Sequence, residues 1–319
     1  MIRFVLLAAV ITTESTQQAW IDQLREADRL TVENRYGDAE TAYFAARRRA
    51  EKLGADQLPM AITLNHMGAY YQSLGRLREA ERLYAGAFAI AERTVGAASE
   101  NGVKFAIDLS NVYLELRQVS RAESLIRGVL QKSNALSAGS RAILTADLAS
   151  VLASKRKFED AESLYREALA FFERDARQEF RERTIIALSN LSIINILMDR
   201  FDEGRSYSDR ARALLGAMIA PPPLLVFKIM ANAAAISATT SAKPEEADFL
   251  FQSAITFCEN TLGRDHYLLG DVMNNYSEFL RKAGRRAEAR TAKKRAKTIL
   301  DTFSKENLSG HNVDATAFR

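Results

Sequence analysis

The chain has 319 residues, 47% of them hydrophobic and 26% charged, an ordinary soluble composition. Its 44 Lys and Arg against 40 Asp and Glu leave a formal charge of +4, which excludes a strong field over the whole molecule. A single cysteine, Cys258, excludes an internal disulfide framework, and 15 Gly with 5 Pro leave little material for β-hairpin turns.

Such a length usually means two globular domains, but a repeat array can run as far without an internal boundary. Apolar residues recur with helical spacing throughout, and strand-like alternation is scarce. The first segment, MIRFVLLAAVITTES at 1–15, sets Arg3 before an apolar run from Phe4 to Ile11, followed by the small residues Thr13 and Ser15. That order fits a short secretory signal cleaved just after Ser15. The run is far below the ~20 residues that cross a bilayer, so no membrane span is expected. The competing reading is an apolar first helix capping the array. A true signal makes the protein periplasmic or secreted; a capping helix leaves it cytoplasmic.

From residue 16 onward one helix is written repeatedly. Small residues recur at Ala39, Ala80, Ala122, Ala161, Gly204, Ala247 and Ala289, in steps of 41, 42, 39, 43, 43 and 42. Seven residues on, two turns down the same face, stand Ala46, Ala87, Val129, Ala168, Ala211, Ala254 and Ala296. Small side chains at both places let two helices approach closely, while Leu83, Tyr84, Leu164 and Tyr165 fill the flanks. The residue before the first set is acidic in six copies of seven, which suits the positive end of a starting helix. A second amphipathic helix precedes each, such as MAITLNHMGAYYQSLG at 60–75, with tight turns at Gly75 and Gly284. The unit is a helix hairpin, and its period means a solenoid.

A period near 42 also suits HEAT and armadillo units. The side chains decide: Leu64, Met67, Gly68, Tyr71, Ala80, Tyr84 and Ala87 fall at tetratricopeptide spacings. GRLREAERLYAGAFAIAERTVG at 75–96 and ENTLGRDHYLLGDVMNNYSEFLRKAGRRAEA at 259–289 resemble the 42-residue tetratricopeptide repeats of kinesin light chains and their bacterial relatives. The resemblance covers about residues 16–300. It implies an all-α fold, a right-handed superhelical α-solenoid of about seven helix-turn-helix units over 16–303. Copies three and five depart, with Arg117 and Asp199 at the turn glycine and Gly204 at the central alanine, and Tyr267 replaces the proline after His266. APPPLL at 220–225 reads as a stiff extended segment and a possible hinge. The tail, 304–319, lacks helical periodicity and is expected to be flexible.

Chemistry is hard to find in these residues. His66, His266, His311 and Cys258 lie in separate repeats or the tail, without metal-ligand spacing. There is no phosphate loop, dinucleotide fingerprint or serine nucleophile elbow, so neither a cofactor nor catalysis is expected. Cys258 falls at a packing position, and His266 aligns with the loop that orders the next helix. RKAGRRAEARTAKKRAK at 281–297 has nine basic residues and one acid. It offers a patch for nucleic acid, but no aromatics interleave it for base stacking, and a last helix must present a soluble face.

The groove of the array is left. By the resemblance, the first helix of each hairpin lines a concave surface that takes extended peptides. The family's tandem asparagines fall on Asn65, Ile107, Ala146, Ser189, Asn232 and Asn274, followed by His66, Asp108, Asp147, Asn190, Ala233 and Asn275. An amide there can both donate to and accept from a peptide backbone. The candidate groove residues are therefore Asn65, His66, Asp108, Asn111, Asp147, Asn190, Asn232, Asn274 and Asn275. Ile62, Ala69, Lys104, Glu115, Ile143, Ser150, Ile186, Ile193, Leu197, Ile229 and Ile236 share their face. The expected activity is a non-enzymatic scaffold that docks a protein or peptide partner. A peptide-sensing regulator and nucleic-acid binding through the last helix are the alternatives. The signal reading predicts that intact mass measured from the native host gives a chain beginning near Thr16; a species that retains Met1 contradicts it.

Overall fold

The computed structural model describes residues 2–33, 35–175, 177–240 and 244–307. Among the described residues fourteen α-helices pair in chain order as seven hairpins, without a strand. They are α1 (Ile2–Val32) with α2 (Tyr36–Leu53), α3 (Leu58–Ser73) with α4 (Leu77–Thr94), and α5 (Glu100–Glu115) with α6 (Val119–Leu130). Then come α7 (Ala138–Ser154) with α8 (Phe158–Phe172), α9 (Gln178–Leu197) with α10 (Phe201–Gly216), α11 (Pro223–Thr240) with α12 (Pro244–Thr261), and α13 (Tyr267–Lys282) with α14 (Arg286–Asn307). This is the all-α solenoid class expected from the repeat. Two compact units divide the chain, Met1–Ser140 and Arg141–Arg319, so residues 220–225 lie inside the second.

The small residues do what their spacing requires. All seven reference positions and all seven positions two turns on are buried. A third small row runs along the first helices, where Ala27, Gly68, Ser110, Ala149, Ser192 and Ser277 are buried too. A Cβ on Gly68 would lie 2.8 Å from the Tyr84 ring, so the two helices of that hairpin touch with nothing between. Gly204, which breaks the alanine rule, has the same cause: a Cβ there would lie 2.6 Å from Ile196 Cδ1. The larger Ile196 takes the space that the alanine fills in other copies.

The hairpin turns also keep one geometry where their residues differ. Gly75 and Gly284 have φ of 72° and 79°, and Arg117, Arg156 and Asp199 adopt the same left-handed conformation at 59°, 61° and 58°. At each, the turn N–H bonds back three residues and the next N–H bonds back five, as in Gly75 to Gln72 and Arg76 to Tyr71, both at 2.9 Å. This double bond satisfies the last carbonyls of the first helix. The residue after the turn, just before the next helix, is an arginine, lysine or glutamine. Arg35, Arg76 and Arg285 each reach the acid three residues on, Asp38, Glu79 and Glu288, at 2.6–2.7 Å. The acidic position thus holds its own side-chain partner besides facing the helix dipole.

Two boundaries differ from the sequence expectation. Pro223, Leu224 and Leu225 belong to α11, because proline fits the first helical turn, where its missing N–H is not needed. Only residues 221–222 are without turn or helix there, preceded by Ala220 at φ 53°. α14 runs to Asn307, past the expected end at 303, and Phe303 stacks on Tyr267 with ring centroids 4.7 Å apart. Residues 308–319 of the expected tail lie outside the described residues. At the other end, the backbone of the expected leader forms one helix with α1 from Ile2. α11 has 18 residues apolar enough, by length and composition, to cross a membrane. Its Phe227 and Ala234 instead pack among Phe251, Cys258 and Leu280 of the neighbouring helices.

Because a left-handed backbone costs a side chain about 1–2 kcal/mol, Arg117→Gly is expected to raise the unfolding free energy by about 0.5–1 kcal/mol. Gly75→Ala should lower it by a similar amount, both read from urea denaturation.

Candidate functional site

In the first unit the candidate row is knitted between hairpins. Asn65, 2% exposed on α3, donates from Nδ2 to Asp108 Oδ2 of α5 at 2.8 Å. Lys104 donates to its Oδ1 at 2.7 Å. His66 sets Nδ1 3.0 Å from both carboxylate oxygens of Asp28 on α1. Below these, Gln72 donates to Glu115 at 3.0 Å and accepts from the buried Tyr84 hydroxyl at 2.9 Å. Asn111 is half-buried on α5.

The second unit repeats the device. Asn232 Nδ2 donates to Ser189 Oγ across 43 residues of chain at 2.8 Å. Asn190 Nδ2 donates to the Tyr165 hydroxyl at 2.7 Å, and that hydroxyl also bonds Ser150 of α7. Burial pushes the Tyr165 phenol well above its usual range, so it remains a neutral donor and acceptor. Asp147 is buried on α7. Asn274 accepts from Lys293 at 3.0 Å, and Asn275 is exposed. Ile143, Ile229 and Ile236, expected on the same open face, are buried and serve the core.

One stretch of this face is open and apolar. On α9, Ile186 is 40% and Leu197 53% exposed, with Asn190 and Ile193 half-buried between them. Spacings of four, three and four residues put all four on one side of the helix. Tyr43, Tyr84 and Tyr165 stand at one repeat position and turn their hydroxyls to polar residues of the first helices, Asp28, Gln72 and Asn190. Read as flank fillers, these tyrosines hide that second role; the recurrence of a polar-tipped aromatic opposite a polar row is its only trace in the sequence.

A family model described as tetratricopeptide repeat matches residues 60–101 and 144–174, the hairpins α3–α4 and α7–α8. With the seven-hairpin fold, that decides the class. The chain carries tetratricopeptide repeats. Among curated proteins none matches the sequence. Among solved structures, the Rap conjugation gene regulator of the plasmid pLS20, in complex with the Phr* peptide, is similar with a TM-score of 0.68 at 12% identity, over 94% of this chain and 78% of that one. Aspartyl phosphate phosphatase F from Bacillus subtilis gives 0.67 at 13% identity, over 97% and 77%. BtubC (BKLC) from P. vanneervenii gives 0.54 at 19% identity, over 68% and 92%. At these identities the likeness is one of fold.

The remaining candidates are structural in their surroundings. Cys258 is buried among Phe251 and Ala254, and burial, with Glu259 beside it, pushes the thiol up to about 12. His266 caps α13 and lies against Tyr267 with ring centroids 4.9 Å apart. In the basic run, Arg285 pairs with Asp248 and Glu288, and Arg295 with Glu259. No cluster of metal-ligating side chains occurs among the described residues.

Asn65→Ala removes two hydrogen bonds at a buried site and is expected to cost about 1–3 kcal/mol of stability. Asn275→Ala, at an exposed site, should stay within about 0.5 kcal/mol of the parent. Urea denaturation of both variants checks the contrast.

Proposed function

We propose that this protein is a non-enzymatic scaffold whose first helices dock a partner peptide or protein segment. The observation that carries the reading is the open stripe on α9. Single exposed apolar residues need no explanation, but Ile186, Ile193 and Leu197 share one helix face with an amide among them. An apolar side chain of the partner would seat over the three, while Asn190, whose Nδ2 is bonded to Tyr165, reads the partner backbone through its carbonyl oxygen. The fold is already formed, so the partner supplies most of the ordering cost, and an affinity around micromolar follows. Likeness in fold to a regulator solved with a bound peptide supports the choice of a peptide as partner.

Peptides selected by display against the full chain supply the ligand, and titration calorimetry measures them. Leu197→Asp should weaken the selected peptides by about tenfold or more, because a charge would face the apolar anchor. Unchanged affinity in that variant, with binding lost when Lys293, Lys294 and Lys297 are neutralised, would assign the function to the basic last helix.

A further inference from the structure

A second hollow in the 141–319 unit lies at the opposite end of α9 from the hairpin turn. The end of α8, the start of α9 and the last two turns of α10 enclose a cleft of about 530 Å³, within the ~300–1,000 Å³ range of small-molecule sites. Its floor is apolar: Phe172 and Ile185 are fully buried core residues, and Leu214 and Met218 form a wall. The cleft is open because Ala213 of α10 and Ala217, the residue that caps that helix, present only methyl groups toward it. The place of Ala217 is held by Lys52, Arg93, Arg174 and Asn260 in four other copies, side chains long enough to lie across such a hollow. Copy five alone combines that alanine with an apolar wall.

The mouth carries charge of both signs, but not in balance. Glu173 is held by Arg210, and Asp175 is held by Arg177, whose hydrogen bonds keep its carboxyl below the usual range. Arg181 lines the same mouth, is exposed, and makes no ion pair among the described residues. A guanidinium with unused donors above an apolar floor recognises a carboxylate attached to an apolar body, through paired N–H···O bonds.

We propose that this cleft binds a small apolar group bearing a carboxylate, with the apolar part against Ala213, Leu214 and Met218 and the carboxylate on Arg181. The site is separate from the open stripe of α9 and does not depend on the scaffold reading. A free medium-chain acid and the carboxyl end of an apolar peptide share this chemistry. Calorimetry on the full chain separates them, using decanoate below its micelle concentration and a short peptide ending in leucine, with decanol, decylammonium and the peptide amide as controls.

One saturable site per chain is expected for decanoate or for the peptide acid, and whichever binds names the source. The uncharged counterpart should bind about tenfold more weakly, and Arg181→Gln should remove that difference without changing affinity for the uncharged form. Ala217→Phe, a change at an exposed position that fills the hollow, should abolish binding of both while helical circular dichroism is retained. Equal binding of decylammonium and decanoate, unchanged binding in Ala217→Phe, a charge preference that survives Arg181→Gln, or no saturable binding of either acid would each overturn the proposal.

Discussion

Two helices can lie about 8 Å apart only where the side chains between them are small, and this constraint organises the molecule. Each hairpin meets it twice on its second helix, at positions seven residues apart and with Val129 the one residue larger than alanine, and six of the seven meet it with a buried residue on the first. Everything larger is displaced to the flanks of the contact. Leu83, Tyr84 and Tyr165 are buried there, and in three copies a tyrosine hydroxyl is carried to the polar row of the first helices. The close contact thereby decides which residues remain on the other side of the first helix, where a partner could reach them. Ile186 and Leu197 are exposed because α9 spends Leu188, Leu191 and Ser192 on the contact.

The spacing of small residues made the helix-hairpin repeat legible from sequence, and the tetratricopeptide side-chain pattern separated it from HEAT and armadillo units of similar period. Turn residues were a poorer guide. A glycine at the turn signals a left-handed residue, but Arg117, Arg156 and Asp199 adopt that conformation because the two bonds back into the first helix enforce it. Tertiary context there overrides the residue's own preference. The boundaries at Pro223 and Asn307 were missed for local reasons: proline reads equally well as a stiff linker or a helix start, and the stack of Phe303 on Tyr267 joins residues far apart in the chain.

The candidate row shows where a single sequence runs out. Periodicity places Asn65, Asn190 and Asn232 at the right height on the right helices. It does not say how their amides are used, because the partners Asp108, Tyr165 and Ser189 are 25 or 43 residues away. The same amide can hold two hairpins in register and offer its remaining atoms to a ligand, so position and role separate at these residues. The cleft beside α10 was illegible for a related reason. It arises from what Ala217 leaves empty, and only the neighbouring helix ends turn that omission into a hollow.

The claim beneath all of this is that the buried alanines set helix contact, and Ala161, fully buried at the start of α8, is the sharpest place to measure it. Urea denaturation of Ala161→Leu against the parent chain should show a lower midpoint and a loss of about 1–3 kcal/mol from overpacking. A midpoint and slope identical to the parent's would contradict the account.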